Sequence, residues 1–149
     1  MKIRMANEND IQHGISQIME AIKEFPEFKV EGFIVPMNYY KQLIHSCFKN
    51  GMIIVAEDNG KIIGCLMSIF NKNIFTGLNE LLTIVTWVHK NRRNSSAFYR
   101  MHKLYKQEYK KLIKQNKIHR VLIYSLPNKT NIKLEKLGYN IVETAYEWR

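Results

Sequence analysis

With 149 residues, 46% of them hydrophobic, and a net charge of +10, the chain is long enough to bury one sizeable core and is read as a single domain over 1–149. No apolar run approaches the roughly 20 residues needed to span a bilayer, and the opening "MKIRMANEND" is too polar for a signal peptide. A cytoplasmic monomer or homodimer with no membrane partner is expected.

"KIRMA" reads as a short strand. Asn7, with Asp10 three residues on, marks a helix start ahead of Ile11, Ile15, Ile18 and Ile22 at helical spacing, a pattern that ends at Pro26. "FKVEGFIVP" is a loop. Tyr40, Leu43, Ile44, Cys47 and Phe48 then share one face of a second helix, with Gly51 as its expected C-terminal cap. "MIIVAEDNGKIIGCLMSIF" is a hairpin signal, because Asn59-Gly60 can supply the positive φ angles of a tight turn. After a polar connection, "NKNIFTGLNE", the mostly apolar "LLTIVTWV" is a third strand of that sheet. Cys47 and Cys65 lie among apolar residues without a close-spaced partner, so they are expected to be core thiols, not metal ligands or half-cystines.

Strand, basic turn and helix follow one another in "TWVHKNRRNSSAFYRMHKLYKQEYKKLIK". Free N–H groups and the positive dipole end at such a helix start attract anions. Lys90, Arg92 and Arg93, with Ser95 and Ser96 as hydroxyl donors or caps, suit a phosphate or pyrophosphate; a merely solvated basic turn is the alternative. Residues 88–136 carry 14 basic and 2 acidic residues, a charge of +12, whereas 1–87 (8 basic, 9 acidic) and 137–149 (1 basic, 2 acidic) are each −1. Nucleic acid, an anionic surface or a polyphosphate cofactor would each suit that block. Phe98, Met101, Leu104, Tyr105, Tyr109 and Leu112 form the apolar stripe of the helix, "RVLIYSL" is a strand, "PNKTNIKLEKLG" a short helix stopped by Gly138, and "YNIVETAYEW" a last strand.

The order β α α β β β α β α β describes an α/β layout with a mixed, mostly antiparallel sheet flanked by helices. It resembles the GNAT superfamily of N-acetyltransferases along nearly the whole chain, most closely in "NKTNIKLEKLGY", where Asn128, Glu135, Lys136, Gly138 and an aromatic Tyr139 match the family's closing helix. The resemblance implies a single acyl-CoA-binding domain that moves an acetyl group from acetyl-CoA to an amine, with no metal. It also implies a CoA site at Trp87, Val88, Lys90 and Arg92, at the turn Arg93-Asn94-Ser95-Ser96-Ala97, and at Asn128. Ser96 and Phe98 replace the small residues usual in that turn, and Leu134 stands where many members carry a proton-donating tyrosine. Glu80 is the carboxylate nearest the cofactor strand and the candidate base, with a solvated loop carboxylate as the alternative. Tyr124 and Ser125 would line the other side of the acyl cleft. His13, His45, His89, His102 and His119 have no spacing that suggests a metal or a triad. The amine acceptor is not legible, and the competing reading is a noncatalytic GNAT-like protein that binds nucleic acid or a protein through its basic 88–136 segment.

Overall fold

The computed structural model describes residues 1–24, 32, 34–123 and 134–142. In chain order the elements are β1 (Lys2–Met5), α1 (Glu8–His13), α2 (Ile15–Glu24), α3 (Met37–Lys49), β2 (Gly51–Asp58), β3 (Lys61–Lys72), β4 (Asn79–Val88), α4 (Ala97–Lys114) and β5 (Arg120–Ile123), with short 3₁₀ turns at Lys90–Arg92 and Leu134–Leu137. The strands form one sheet in the order β1-β2-β3-β4-β5; the first four are antiparallel and β5 runs parallel to β4. This is the mixed α/β architecture expected from the sequence. Tyr139–Val142 is not strand, and the rest of the expected last strand lies outside the described residues.

Asn7 caps α1 as its spacing predicts: its Oδ1 accepts from the Asp10 N–H at 3.1 Å, and Asp10 Oδ2 accepts from the Asn7 N–H at 2.8 Å. The helix does not continue through the isoleucine repeat. It breaks at Gly14, where a Cβ would lie 2.7 Å from both the Asp10 carbonyl oxygen and Ile62 Cδ1, so the chain restarts as α2. Arg4 ties this corner to the sheet by donating to both oxygens of Asp10 at 2.6 and 3.0 Å and to Glu57 Oε2. That arginine holds the buried Asp10 carboxyl below its usual range, against the opposing effect of burial.

Two cores lie on opposite faces of the sheet. Ile11, Ile18, Tyr40, Ile44, Cys47, Val55, Cys65, Met67 and Val85 pack under α1–α3. Met52, Ile54, Leu66, Leu81, Met101 and Tyr105 pack under α4. Cys47 and Cys65 are buried free thiols, and desolvation pushes each up to about 12. At the β2–β3 hairpin, Asn59 (φ 50°) and Gly60 (φ 73°) adopt the positive φ angles that the Asn-Gly pair predicts.

The register between β3 and β4 contains a bulge: Met67 faces Val85 but Ser68 faces Thr83, leaving Ile84 as the extra residue. Leu81 and Thr83 therefore point toward α4, whereas Val85 and Trp87 point toward α1–α3. Without the bulge, strict alternation would put all four on one face.

The expected cap, Gly51, is instead the first residue of β2, and Asn50 ends α3. Its role is close approach. A Cβ there would come within 2.0 Å of the Ser68 carbonyl oxygen and 2.8 Å of Ile69 Cα. Gly51→Ala is expected to lower stability by about 2 kcal/mol or more by overpacking the β2–β3 ladder, read as a lower denaturation midpoint with an unchanged m-value.

Candidate active site

β4 ends at Val88, whose side chain is buried in the α4-side core, and the chain then turns through Lys90–Arg92 before α4 begins at Ala97. Ser95 Oγ accepts from the Ala97 N–H at 3.3 Å, and the Arg100 N–H reaches the Ser96 carbonyl at 3.0 Å. Between them, the N–H groups of Phe98 and Tyr99 have no acceptor among the described residues, so the helix start presents two donors and the positive end of an 18-residue dipole. Lys90, Asn94 and Ser96 are exposed around it. Arg93 is anchored through Nε to the Val88 carbonyl at 3.2 Å. Phe98, which replaces a small residue, packs against the α4-side core and tilts over His102 at 4.4 Å between ring centroids.

Two residues expected at the cofactor are placed otherwise. Trp87 lies on the opposite face of the sheet from α4, because adjacent strand residues alternate. Arg92 turns back to the hairpin and donates to Asp58 Oδ2 at 2.6 Å, where Asp58 also meets the Met1 amino group at 3.3 Å. Tyr124, Ser125 and Asn128 lie outside the described residues.

Glu80 is not a solvated loop carboxylate. It stands in β4 opposite Asn71 on one side and Arg120 on the other, about 26 Å along the strand from Val88 at ~3.3 Å per residue. Its oxygens accept from Arg120 Nε at 2.8 Å, Asn71 Nδ2 at 2.8 Å and Asn73 Nδ2 at 3.3 Å. Burial acts to raise its pKa, but those three hydrogen bonds and the Arg120 charge outweigh it, so the net shift is downward. A carboxylate held ionised in this way clamps β3, β4 and β5 together.

The α4 face toward β4 carries an aromatic group that the sequence reading left as packing. Tyr105 is fully buried, and its hydroxyl shares a 2.8 Å hydrogen bond with Thr83 Oγ1, one residue before the bulge; burial pushes its pKa up to about 12. His102 is 5% exposed, neither ring nitrogen has a partner among the described residues, and desolvation pulls its pKa down to about 4. Tyr139, just after the Leu134–Leu137 turn, meets the His102 ring at 6.4 Å. Leu134 itself is half-buried in that turn, with its carbonyl accepting from the Tyr139 N–H. The helical spacing of Phe98, His102, Tyr105 and Tyr109 could have identified this face.

No protein-family profile and no curated protein matches the chain. Solved structures do. A ribosomal-protein-alanine N-acetyltransferase from Brucella melitensis biovar Abortus 2308 aligns at TM-score 0.66 and 12% identity, over 100% of this chain and 99% of its own. A transcriptional regulator from Bacillus halodurans C-125 aligns at 0.68 and 15%, over 99% and 98%. AAC(6')-Iy in complex with the bisubstrate analog CoA-S-monomethyl-acetylneamine aligns at 0.68 and 13%, over 99% and 96%. The chain has the GNAT N-acetyltransferase fold from end to end, as a divergent version of it.

Two substitutions test these assignments. Glu80→Gln should cost about 1–3 kcal/mol by replacing a buried, charge-assisted hydrogen-bond network with a neutral one. Because the folded-state pKa is depressed, the stabilisation is complete above the unfolded glutamate value of about 4.3 and is lost as pH falls through the lower folded one, so the gap between wild type and variant should close below about pH 4 in thermal melts. His102→Phe should raise stability, since it replaces two unsatisfied buried nitrogens with an apolar ring of similar size. A neutral buried histidine whose folded pKa is about 4 destabilises the fold as pH drops below its unfolded value of about 6.5, so the variant should lose less stability between pH 6.5 and 4.

Proposed function

We propose that the protein is an acetyl-CoA-dependent N-acyltransferase that moves an acetyl group to a small or macromolecular amine by direct attack. The observation that carries this reading is the whole-length likeness to acetyltransferases, one of them solved with a CoA bisubstrate analog. The β4–turn–α4 corner supplies what such a reaction needs from the protein. Arg93, Ser95, Ser96 and the N–H groups of Phe98 and Tyr99 would hold the pyrophosphate, with Lys90 adding charge from the turn. Trp87 and Arg92 have no place in that cradle. The bulge at Ile84 interrupts the β3–β4 ladder in mid-strand, and a backbone N–H there would polarise the thioester carbonyl.

Chemistry then needs little beyond placement. The amine nitrogen bonds to the carbonyl carbon, the C–S bond breaks, and the proton released from nitrogen ends on the CoA sulfur. Positioning the two reactants supplies a large part of the acceleration. A general acid adds about 10²–10⁴; with Leu134 at the usual tyrosine position, that part falls to Tyr124, Ser125 or water. The acceptor amine is set by other surfaces.

A second reading draws on the exposed lysines of α4, Lys103, Lys106, Lys110, Lys111 and Lys114, as a docking face for nucleic acid or an acidic protein. One measurement separates the two. Acetyl-CoA should raise the melting temperature by binding only the folded state, and Arg93→Glu should remove that rise while the unliganded variant stays folded. Absence of any rise at millimolar acetyl-CoA would sink the acyltransferase reading and favour the basic-face one.

A further inference from the structure

We propose a second anion site, on the α1–α3 face of the sheet, that takes a small molecule bearing a phosphate, sulfate or carboxylate group. It occupies a cavity of about 350 Å³ between α2, the start of β3 and the end of β4, lined by Gln17, Lys61, Trp87, His89, Asn91 and Arg92 with two isoleucines beneath. The volume suits a small ligand.

What selects an anion is the state of each polar group on the wall. Gln17 Oε1 already accepts from the Ile62 N–H at 3.1 Å, which leaves its amide NH₂ to donate. His89 Nδ1 accepts from the Asn91 N–H, so the ring of the neutral side chain carries its hydrogen on Nε2. The indole of Trp87 can only donate; the residue is 4% exposed, and its buried Nε1 has no partner among the described residues. Lys61 and Arg92 are cations. Among the described residues no carboxylate lines the cavity. Asp58, behind Arg92, is shared between that guanidinium and the Met1 amino group. A wall with two cations and the donor groups of Gln17 and His89 is complementary to a ligand rich in acceptor oxygens.

The site is not the cofactor cradle. Trp87 faces the α1–α3 core, whereas the α4 start belongs to the other layer. The His89–Arg92 turn borders both. An anion on one face and acyl-CoA on the other would therefore share a wall without sharing a binding position.

The test is titration of the ¹⁵N-labelled protein with inorganic phosphate, sulfate or malonate, with chloride at matched ionic strength as control. The Trp87 indole N–H resonance, distinguished from that of Trp148 by a Trp148→Phe variant, should shift saturably with at least one of the three and not with chloride. Lys61→Glu, at an exposed position that leaves the core untouched, should weaken that binding about tenfold or more, the worth of one charge-assisted contact. Gln17→Leu should also weaken it, and a saturating level of acetyl-CoA should leave the shift in place. The proposal is overturned by no saturable shift with any of the three anions, by an equal shift with chloride, by unchanged affinity in Lys61→Glu, or by loss of the shift when acetyl-CoA is added, which would make the cofactor's own phosphates the occupant. Failure of acetyl-CoA to bind would leave the anion titration intact and would bear on the acyltransferase reading alone.

Discussion

The single extra residue in β4, Ile84, sets the geometry on which both layers depend. A regular strand offers one side-chain face to each layer throughout its length. Here Leu81 and Thr83 serve the α4 core, and after the bulge Val85 and Trp87 serve the α1–α3 core. The first half of β4 can thus close against Tyr105 while the second half buries a tryptophan under α2, and Val88 still ends the strand on the α4 side. A bulge interrupts the β3–β4 ladder at this point and re-aims the side chains that follow it.

Polar clamps fix the sheet on either side of that point. At one end Glu80 joins three strands through Arg120, Asn71 and Asn73; at the other, Asp58 links the amino terminus, the hairpin and Arg92. The two differ in strength. Glu80 is buried and accepts three hydrogen bonds, one of them from a cation. Arg92 is half exposed, and its pair with Asp58 is screened by solvent and salt. The rigid end therefore lies away from the β4–α4 turn, and the softer one beside it.

What the sequence made legible was local. Asn59-Gly60 needs two positive φ angles and finds them, Asn7 and Asp10 satisfy each other's backbone partners, and the Phe98–Leu112 stripe follows helical period because its neighbours lie within a turn or two. The misses were long-range. Nothing near Gly14 announces that Ile62 will press on it, and nothing near Gly51 announces the Ser68 carbonyl. Glu80 reads as a free carboxylate until Arg120, forty residues on, is brought beside it. The candidate site divided in the same way. The anion-attracting turn could be read from its residue types, but the loss of Arg92 to Asp58 and of Trp87 to the far face depends on pairing and alternation across the sheet.

The residues that open α4 have a common physical consequence. Phe98, in the first turn of α4, directs its ring along the helix onto His102. That leaves the Phe98 N–H available while its bulk adds to the helix's own packing. Ser96, with φ −76° and ψ 4°, holds the bend before the helix in a conformation that any residue can adopt, so no glycine is demanded there. The turn thus keeps its donors while drawing stability from side chains.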